Sequence, residues 1–324
     1  MSSAQLPIID LAPAIEGGQA DRARVAEEIY QACSRTGFFY VINHGVPEAV
    51  IEAAARTMLD FFHQPAEDKR RVAVNSRHRG WHEIGGAHMY GAQKPDYKEF
   101  FGIGLELPET DRDVVAGQPL RGANNWPGFM PQVSQDFYRY YQEVGVCGAR
   151  LLRVMAVSLG LDEHFFSPRY VKPMQRTQAV YYPPQPADMG ADQFGVAPHT
   201  DYGCMTLLWQ DTVGGLEVRN LDGEWIAAPP VAGSFVVNVG DLMARWSNDR
   251  FASTPHRVVN RSGVERMSIA TFYDPSYDAV VDPRDLTSAD LEPIYEPIAA
   301  GDYILGRIND SMSYRKALKE KASA

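Results

Sequence analysis

Residues 198–211, PHTDYGCMTLLWQD, join a polar motif to an apolar run that is typical of a buried β-strand. Similar short runs, rich in β-branched and aromatic residues, extend from about residue 177 to residue 273 with turn signals between them. They are AVYYPPQP, CMTLLWQ, GLEVRN, EWIAAPP, SFVVNVGD, HRVVN and RMSIATFY. Asp222-Gly223 is a strong hairpin signal. Many short strands at close spacing predict a sandwich or jelly roll.

The sequence on either side of this β-rich stretch has mainly helical periodicity. Apolar residues recur at helical spacing near residues 21–37, 47–62 and 131–160, and again after Pro283. Residues 38–42 predict a buried strand, and residues 75–130 predict ordered loop with short strands. We therefore expect a mainly β protein with helical flanks. Its regions are a helical N-terminal part with short supporting strands at 1–170, a β core at 171–282 and a C-terminal helical segment at 283–324, forming one integrated unit.

The composition limits the classes of partner. The chain has 31 basic and 41 acidic residues and a net charge of −10, whereas nucleic acids and anionic membranes are bound by basic surfaces. No apolar run approaches the roughly 20 residues of a spanning helix, and the N-terminus lacks the features of a secretion signal. The three cysteines form no disulfide framework, which fits a reducing compartment. We expect a cytoplasmic protein that binds neither nucleic acid nor membrane.

His199, Asp201 and His256 are candidate metal ligands. Side chains two residues apart on an extended segment project from the same face, so the first two converge, and His256 begins a later apolar strand that a jelly roll can place beside them. Two histidines and one carboxylate leave three positions of an octahedron open, as in non-haem Fe(II) oxygenases. About one His-x-acid match is expected by chance in this composition. A hydrogen-bonded His–Asp pair, with His256 capping another strand, therefore stays open as the alternative.

Arg266 and Ser268 are the next candidate pair. They share one face of a predicted strand with Ala270 and Phe272, because side chains alternate along a strand. An arginine beside a hydroxyl inside a β core can bind a carboxylate through charge-assisted hydrogen bonds. A buried arginine needs an anion, which is either a ligand or an acidic residue of the protein. Both interpretations stay open at this point.

The order of these motifs resembles the isopenicillin N synthase-like family of 2-oxoglutarate/Fe(II)-dependent oxygenases. The resemblance extends from residue 6 to residue 273 through LPIIDLAP, GFFYVINHGVP, PDYKEFF, YYPPQP, PHTDYGCMTLLWQD, GGLEVR, VVNVGDLMARWSN and STPHRVVN. It implies a double-stranded β-helix with Fe(II) near one mouth, and 2-oxoglutarate that chelates the iron and places its far carboxylate on Arg266 and Ser268. It also implies that Tyr182 hydrogen-bonds this cosubstrate. One departure is Val180, where many members carry Asn, and any polar contact from that position is lost.

The reaction implied by the resemblance uses O₂ and 2-oxoglutarate to oxidise a small organic metabolite, with release of succinate and CO₂. Hydroxylation is the expected outcome, with desaturation or ring closure possible at the same site. Three alternatives remain open. They are an Fe(II) oxidase of the same family that does not use 2-oxoglutarate, a zinc hydrolase with the same ligands, and a metal-free jelly-roll binding module.

The substrate is not specified by these motifs. By resemblance, Phe272 faces the substrate, and Phe101 in PDYKEFF is expected on the opposite wall. His88 and Met89, in the segment HEIGGAHMYG, are expected near the entrance, although such residues are more often part of a core. An aromatic wall suits a small, partly apolar metabolite.

Overall fold

A computed structural model describes residues 5–87, 92–185, 190, 192–286 and 292–315. Its β-strands are β1 (Ile8–Asp10), β2 (Phe38–Ile42), β3 (Gly80–His82), β4 (Glu99–Gly104), β5 (Arg176–Tyr182), β6 (Val196–His199), β7 (Met205–Gln210), β8 (Leu216–Arg219), β9 (Trp225–Ala227), β10 (Ser234–Val239), β11 (His256–Val258), β12 (Arg266–Tyr273), β13 (Val280–Val281) and β14 (Ile298–Ala299). Its α-helices are α1 (Ala12–Glu16), α2 (Gln19–Arg35), α3 (Glu48–Phe62), α4 (Ala66–Arg70), α5 (Arg112–Val115), α6 (Pro131–Ser158), α7 (Asp241–Trp246) and α8 (Ala300–Ser311).

Two sheets form the centre of the molecule. The larger has the strand order β1-β2-β10-β7-β12-β5-β4-β3, and the smaller has the order β6-β11-β8-β9. From β5 to β12 the chain passes back and forth between the two sheets, with the β8–β9 hairpin as the one consecutive pair in the same sheet, as in a jelly roll. The predicted fold class, a jelly-roll core with helical flanks, is therefore confirmed.

The helices of the N-terminal half cover one face of the larger sheet. The 28-residue helix α6 packs against α2 and α3, and both α3 and α6 contact β12. Pro131 suits the first turn of α6, because the first N–H groups of a helix have no partner within it. Gly37 ends α2 with a φ of 66°, a conformation that glycine adopts without strain, and the chain turns directly into β2.

Local patterns predicted these elements closely, whereas the partners of the short N-terminal strands depend on tertiary contacts. Residues 38–42 form a strand as expected, and the three segments predicted as helical include all of α3 and α6 and all but the first two residues of α2. The strands β1 to β4, all from the first 110 residues, complete the larger sheet at its two edges. Within the described residues, no helix has the length and apolar character needed to span a membrane.

Candidate metal and cosubstrate site

Three side chains converge between the two sheets. His199 ends β6 and His256 begins β11, and the two residues are direct cross-strand partners in the smaller sheet. Asp201 follows β6 by two residues, and its Oδ1 lies 3.7 Å from the Nε2 atom of each histidine. One potential ligand atom from each residue lies within 4.8 Å of the others. The sequence predicted this convergence, and the antiparallel pairing of β6 with β11 produces it.

The backbone fixes the orientation of both imidazoles. The Nδ1 atom of His199 lies 2.8 Å from the carbonyl oxygen of Ala197, and that of His256 lies 3.2 Å from the carbonyl oxygen of Thr254. A carbonyl oxygen only accepts, so each Nδ1 carries the hydrogen and each Nε2 keeps its lone pair. Both Nε2 atoms therefore face Asp201 as the nitrogens left to bind a metal, the orientation that a metal site requires.

The two carboxylate oxygens of Asp201 have different surroundings: one accepts hydrogen bonds from the protein, and the other faces the two histidines. Thr206 Oγ1 and Asn238 Nδ2 donate to Oδ2 at 2.6 and 2.7 Å, while Oδ1 faces the histidines. Burial tends to raise the pKa of Asp201, but His256, His199 and these hydrogen bonds together lower it. Burial lowers the pKa of His199 to about 3, and the charges of His256 and Lys98 act in the same direction. The site therefore offers two imidazole nitrogens and one carboxylate oxygen, a ligand set that fits Fe(II).

A cavity beside this cluster contains the predicted arginine and serine, and we call it the Arg266 cavity. Arg266 is 1% exposed, and its guanidinium donates to Gly214 O, to Ser268 Oγ at 3.3 Å and to Gln210 Oε1 at 3.2 Å. In the described part of the chain, no carboxylate lies within 4.0 Å of this guanidinium. The ring of Tyr182 lies 4.7 Å below it. A buried cation whose protein partners are all neutral is suited to an anionic ligand.

A second cavity lies on another side of the same cluster, and we call it the Arg176 cavity. Its walls carry the aromatic rings of Phe100, Tyr202 and Phe272, the polar side chains of His78, Lys98, Arg176 and Gln178, and the apolar side chains of Ile308 and Met312. Five residues line both cavities, namely Lys98, Gln178, His199, Asp201 and Phe272. The metal cluster thus lies at the boundary between the two spaces.

Pairing of β5 with β12 sets the order of residues along both cavities. Arg266 pairs with Tyr182, Ser268 with Val180, Ala270 with Gln178 and Phe272 with Arg176. All eight side chains line one cavity or the other, so the alternation predicted from Arg266 to Phe272 is present in the structure. One end of the strand pair carries the arginine and serine, and the other carries the aromatic ring.

Phe101 is a correction to the expected site. It is fully buried, but it packs against Phe61, Trp126 and Phe137 and lines neither cavity. Side chains alternate along β4, so the neighbouring Phe100 faces the Arg176 cavity instead. The two candidates for the entrance, His88 and Met89, lie outside the described residues.

The sequence interpretation missed Lys98, Phe100, Arg176 and Gln178 as cavity residues. For β5 a signal was available, because Tyr182 was expected to face inward and residues 176, 178 and 180 share its parity. For Lys98 and Phe100 the motif PDYKEFF gave no indication of which parity faces the cavity.

The jelly roll and its His-Asp-His cluster define the class of non-haem iron oxygenases. Residues 6–128 match the family described as "non-haem dioxygenase in morphine synthesis N-terminal", and residues 173–275 match the "2OG-Fe(II) oxygenase superfamily". Among curated proteins, the 2-oxoglutarate-Fe(II) type oxidoreductase hxnY of Emericella nidulans is 34% identical, covering 98% of this chain and 95% of that protein. Homoarginine-6-hydroxylase 2-ODD-C23 of Glycine max is 31% identical, covering 94% of this chain and 96% of that protein.

Solved structures show the same relationship. A full-length Neurospora crassa protein in complex with alpha-KG and thymine has a TM-score of 0.83 and 28% identity, covering 94% of this chain and 96% of that one. A 2OG-Fe(II) oxygenase family protein from Caulobacter crescentus has a TM-score of 0.82 and 29% identity, covering 95% and 99% respectively. This chain belongs to the 2-oxoglutarate/Fe(II)-dependent oxygenase family, and it is a dioxygenase that uses Fe(II), 2-oxoglutarate and O₂.

Proposed function

We propose that His199, Asp201 and His256 hold the Fe(II), and that Arg266, Ser268 and Tyr182 bind the far carboxylate of 2-oxoglutarate. The observation that carries this assignment is Arg266, a buried cation without a carboxylate partner among the described residues, in the same cavity as the metal cluster. Its donor fork suits a carboxylate, and the Ser268 hydroxyl remains free to donate, because it only accepts from Arg266.

The substrate in this proposal is a small organic molecule that occupies the Arg176 cavity and is hydroxylated there. The Neurospora crassa protein was crystallised with thymine, and the soybean relative is named as a hydroxylase of homoarginine, so small molecules are the ligands of relatives with this fold. Phe272 supports the assignment, because it lines both cavities and presents a ring to the space beside the metal cluster.

Iron and 2-oxoglutarate, when bound, activate O₂ and couple oxidation of the substrate to the release of succinate and CO₂. The chain's own residues orient and enclose these reactants. Thr206 and Asn238 hold the carboxylate of Asp201, and the backbone carbonyls of residues 197 and 254 hold both imidazoles. The buried walls restrict water around the cluster, which favours coupling of the two half-reactions.

The three regions expected from the sequence, residues 1–170, 171–282 and 283–324, act together in this proposal. Lys98 and Phe100 come from the first region, Arg176 and Phe272 from the second, and Ile308 and Met312 from the third, and all of them line the Arg176 cavity. A site built from all three regions supports a single catalytic unit.

Cytoplasmic function is a further part of the proposal. Cys33, Cys147 and Cys204 are buried free thiols, a state that a reducing compartment preserves. Burial raises the pKa of all three thiols, which disfavours the reactive thiolate.

Anaerobic metal titration followed by an assay for succinate tests the assignment. The wild-type chain should bind one Fe(II) and convert 2-oxoglutarate to succinate in air, which also separates it from an oxidase that does not use this cosubstrate. His199→Ala should abolish both properties. His164→Ala is the matched control, because His164 is largely exposed and lies outside both cavities. Iron binding and turnover by His199→Ala equal to wild type would refute the metal assignment.

A further inference from the structure

Lys98 is a buried cation at the boundary between the two cavities. Its side chain is 10% exposed, and it lines the Arg266 cavity and the Arg176 cavity together with His199 and Asp201. The ammonium lies 3.1 Å from Asp96 Oδ2 and 5.8 Å from the centre of the Phe100 ring. Asp96 is itself fixed, because its Oδ1 accepts the N–H of Ala197 on the strand that carries His199. The position of the ammonium relative to the metal cluster is therefore held by the fold.

The ammonium has more donors than the protein uses. A lysine carries three N–H donors, and the contact with Asp96 is its single polar contact in the described part of the chain. Donors removed from water need acceptors, or their burial costs free energy. Asp96 Oδ2 accepts no hydrogen bond in the described structure, so this contact is an ion pair only, and the ammonium donors of Lys98 are available to a ligand in the adjoining cavities.

The other donor side chains of the Arg266 cavity either donate to Asp201 already or lie at the end of the cavity that holds Arg266. Thr206 and Asn238 both donate to Asp201 Oδ2. Tyr182 pairs with Arg266 across the strands, so it belongs with the arginine and Ser268. Val180, on the inward face of β5, offers no donor at all. Among the described residues that line the Arg266 cavity, Lys98 and the neutral amide of Gln178 are the donors that remain.

We infer that Lys98 is a positioning residue that donates to the metal-proximal carboxylate of 2-oxoglutarate. The inference rests on the proposed function. In that proposal Arg266 binds the far carboxylate, and the near carboxylate would lie beside the His-Asp-His cluster, in the cavity that Lys98 also lines. An anionic oxygen there requires a donor, and Lys98 brings both hydrogens and a positive charge. Each carboxylate of 2-oxoglutarate is then matched by one buried cation of the chain.

Calorimetric titration without O₂, with Mn(II) in place of Fe(II), tests this inference by binding rather than by turnover. Lys98→Met should weaken binding of 2-oxoglutarate by roughly 10- to 100-fold, as expected for loss of a hydrogen bond from a charged group. Mn(II) affinity should stay within about threefold of wild type. Lys98→Arg should restore much of the lost affinity, and Lys98→Gln serves as a second neutral variant if the methionine variant does not fold.

A second ligand separates Lys98 from Arg266. In 2-oxopentanoate a methyl group replaces the far carboxylate, while the metal-proximal carboxylate is kept. Lys98→Met should weaken 2-oxopentanoate as strongly as 2-oxoglutarate, whereas Arg266→Gln should weaken only 2-oxoglutarate.

The outcomes separate this inference from the proposed function. Binding of 2-oxoglutarate by folded Lys98→Met or Lys98→Gln within about twofold of wild type would overturn the role of Lys98 and leave the proposed function standing. Failure of the Mn(II)-loaded wild-type chain to bind 2-oxoglutarate would instead overturn the cosubstrate site itself.

Discussion

The two ends of the β5–β12 strand pair each hold a buried arginine, but they balance its charge differently. Arg176 is 5% exposed, and its Nη2 donates to Asp274 at 2.9 Å, so a buried carboxylate compensates its charge. Arg266 is equally inaccessible and contacts only neutral groups in the described structure. A compensated arginine supplies hydrogen-bond donors and a flat surface, whereas an uncompensated one attracts an anion. This difference supports the proposal that the dicarboxylate binds at the Arg266 end and the substrate at the Arg176 end.

Arg266→Gln is expected to have the largest effect. Truncating one partner of a buried charged pair costs about 2–5 kcal/mol, which corresponds to roughly 30- to several-thousand-fold in affinity for 2-oxoglutarate. Arg266→Lys should recover only part of the lost affinity, because lysine lacks the planar guanidinium that can donate two parallel hydrogen bonds. The measurement is the 2-oxoglutarate concentration dependence of succinate formation, with Fe(II) affinity as the control. A folded Arg266→Gln chain with the wild-type requirement would make the arginine structural.

Arg176→Gln should act on stability instead. The change leaves Asp274 buried without its cation, and loss of one partner of a buried ion pair costs about 3–5 kcal/mol. Denaturant unfolding should show this loss, while Arg266→Gln, which leaves no carboxylate unpaired, should lose less. Equal stability losses in the two variants would contradict the difference in charge balance between the two ends.

Asn238→Ala tests whether the hydrogen bond from Asn238 to Asp201 contributes to metal affinity. Asn238 donates to Asp201 Oδ2, and loss of such a partner of a metal ligand typically lowers metal affinity by about 10- to 100-fold. Competition with a chelator measures the change. Asn220→Ala is the matched control, because Asn220 lies in an exposed turn away from both cavities. Wild-type affinity in Asn238→Ala would show that Thr206 alone orients the carboxylate.

Phe272→Ala addresses the substrate end. Loss of the ring should lower productive substrate binding and raise the ratio of succinate formed to substrate oxidised. The affinity for 2-oxoglutarate should stay nearly unchanged, because Phe272 and Arg266 lie near opposite ends of β12. Phe101→Leu is the control, since Phe101 packs on the opposite face of its strand. An unchanged ratio in Phe272→Ala, measured with a confirmed substrate, would remove this ring from the substrate site.

Acid should weaken the fold near the substrate end. Burial, followed by the charge of Lys98, lowers the pKa of His82 to about 3 from 6.5. Below pH 6.5 this histidine takes up a proton in the unfolded chain but stays neutral in the folded chain. The contribution of His82 to the free energy of unfolding is therefore complete above pH 6.5 and declines as pH falls. The decline is up to about 1.4 kcal/mol per pH unit. In His82→Phe, the free energy of unfolding should depend less steeply on pH between about pH 6 and 4. An unchanged slope would show that His82 does not cause the loss of stability in acid.

Much of this site was predictable because side chains alternate between the two faces of a strand, so residues two positions apart point the same way. The alternation from Arg266 to Phe272 follows from the period of a strand and is present in β12, whereas Asp201 lies two residues beyond the end of β6 and still converges with His199. The parity of Phe100 and Phe101 was not predictable, because both are aromatic and both are buried. Only the packing of α3 and α6 on one side of β4 determines which of them faces the cavity.

The sequence also did not show which buried cations have a carboxylate partner within the protein. Asp274 follows β12 and compensates Arg176, which lies 98 positions earlier, while Asp96 compensates Lys98 from two positions away. The sequence alone left open an acidic residue of the protein as the partner of Arg266. The three-dimensional arrangement of the described residues places none beside it, and this is what distinguishes a ligand site from an internal ion pair.

The cross-strand pairing of His199 with His256 has a consequence for the energetics of the smaller sheet. Its strands are only three or four residues long, so few hydrogen bonds hold β6 against β11. An ion bound by both histidines joins these strands, and any opening of the sheet must first release it. Metal occupancy and local unfolding are then linked equilibria, and the free energy of opening rises with the concentration of free metal. Metal supply would thus set the lifetime of this half of the jelly roll as well as the rate of turnover.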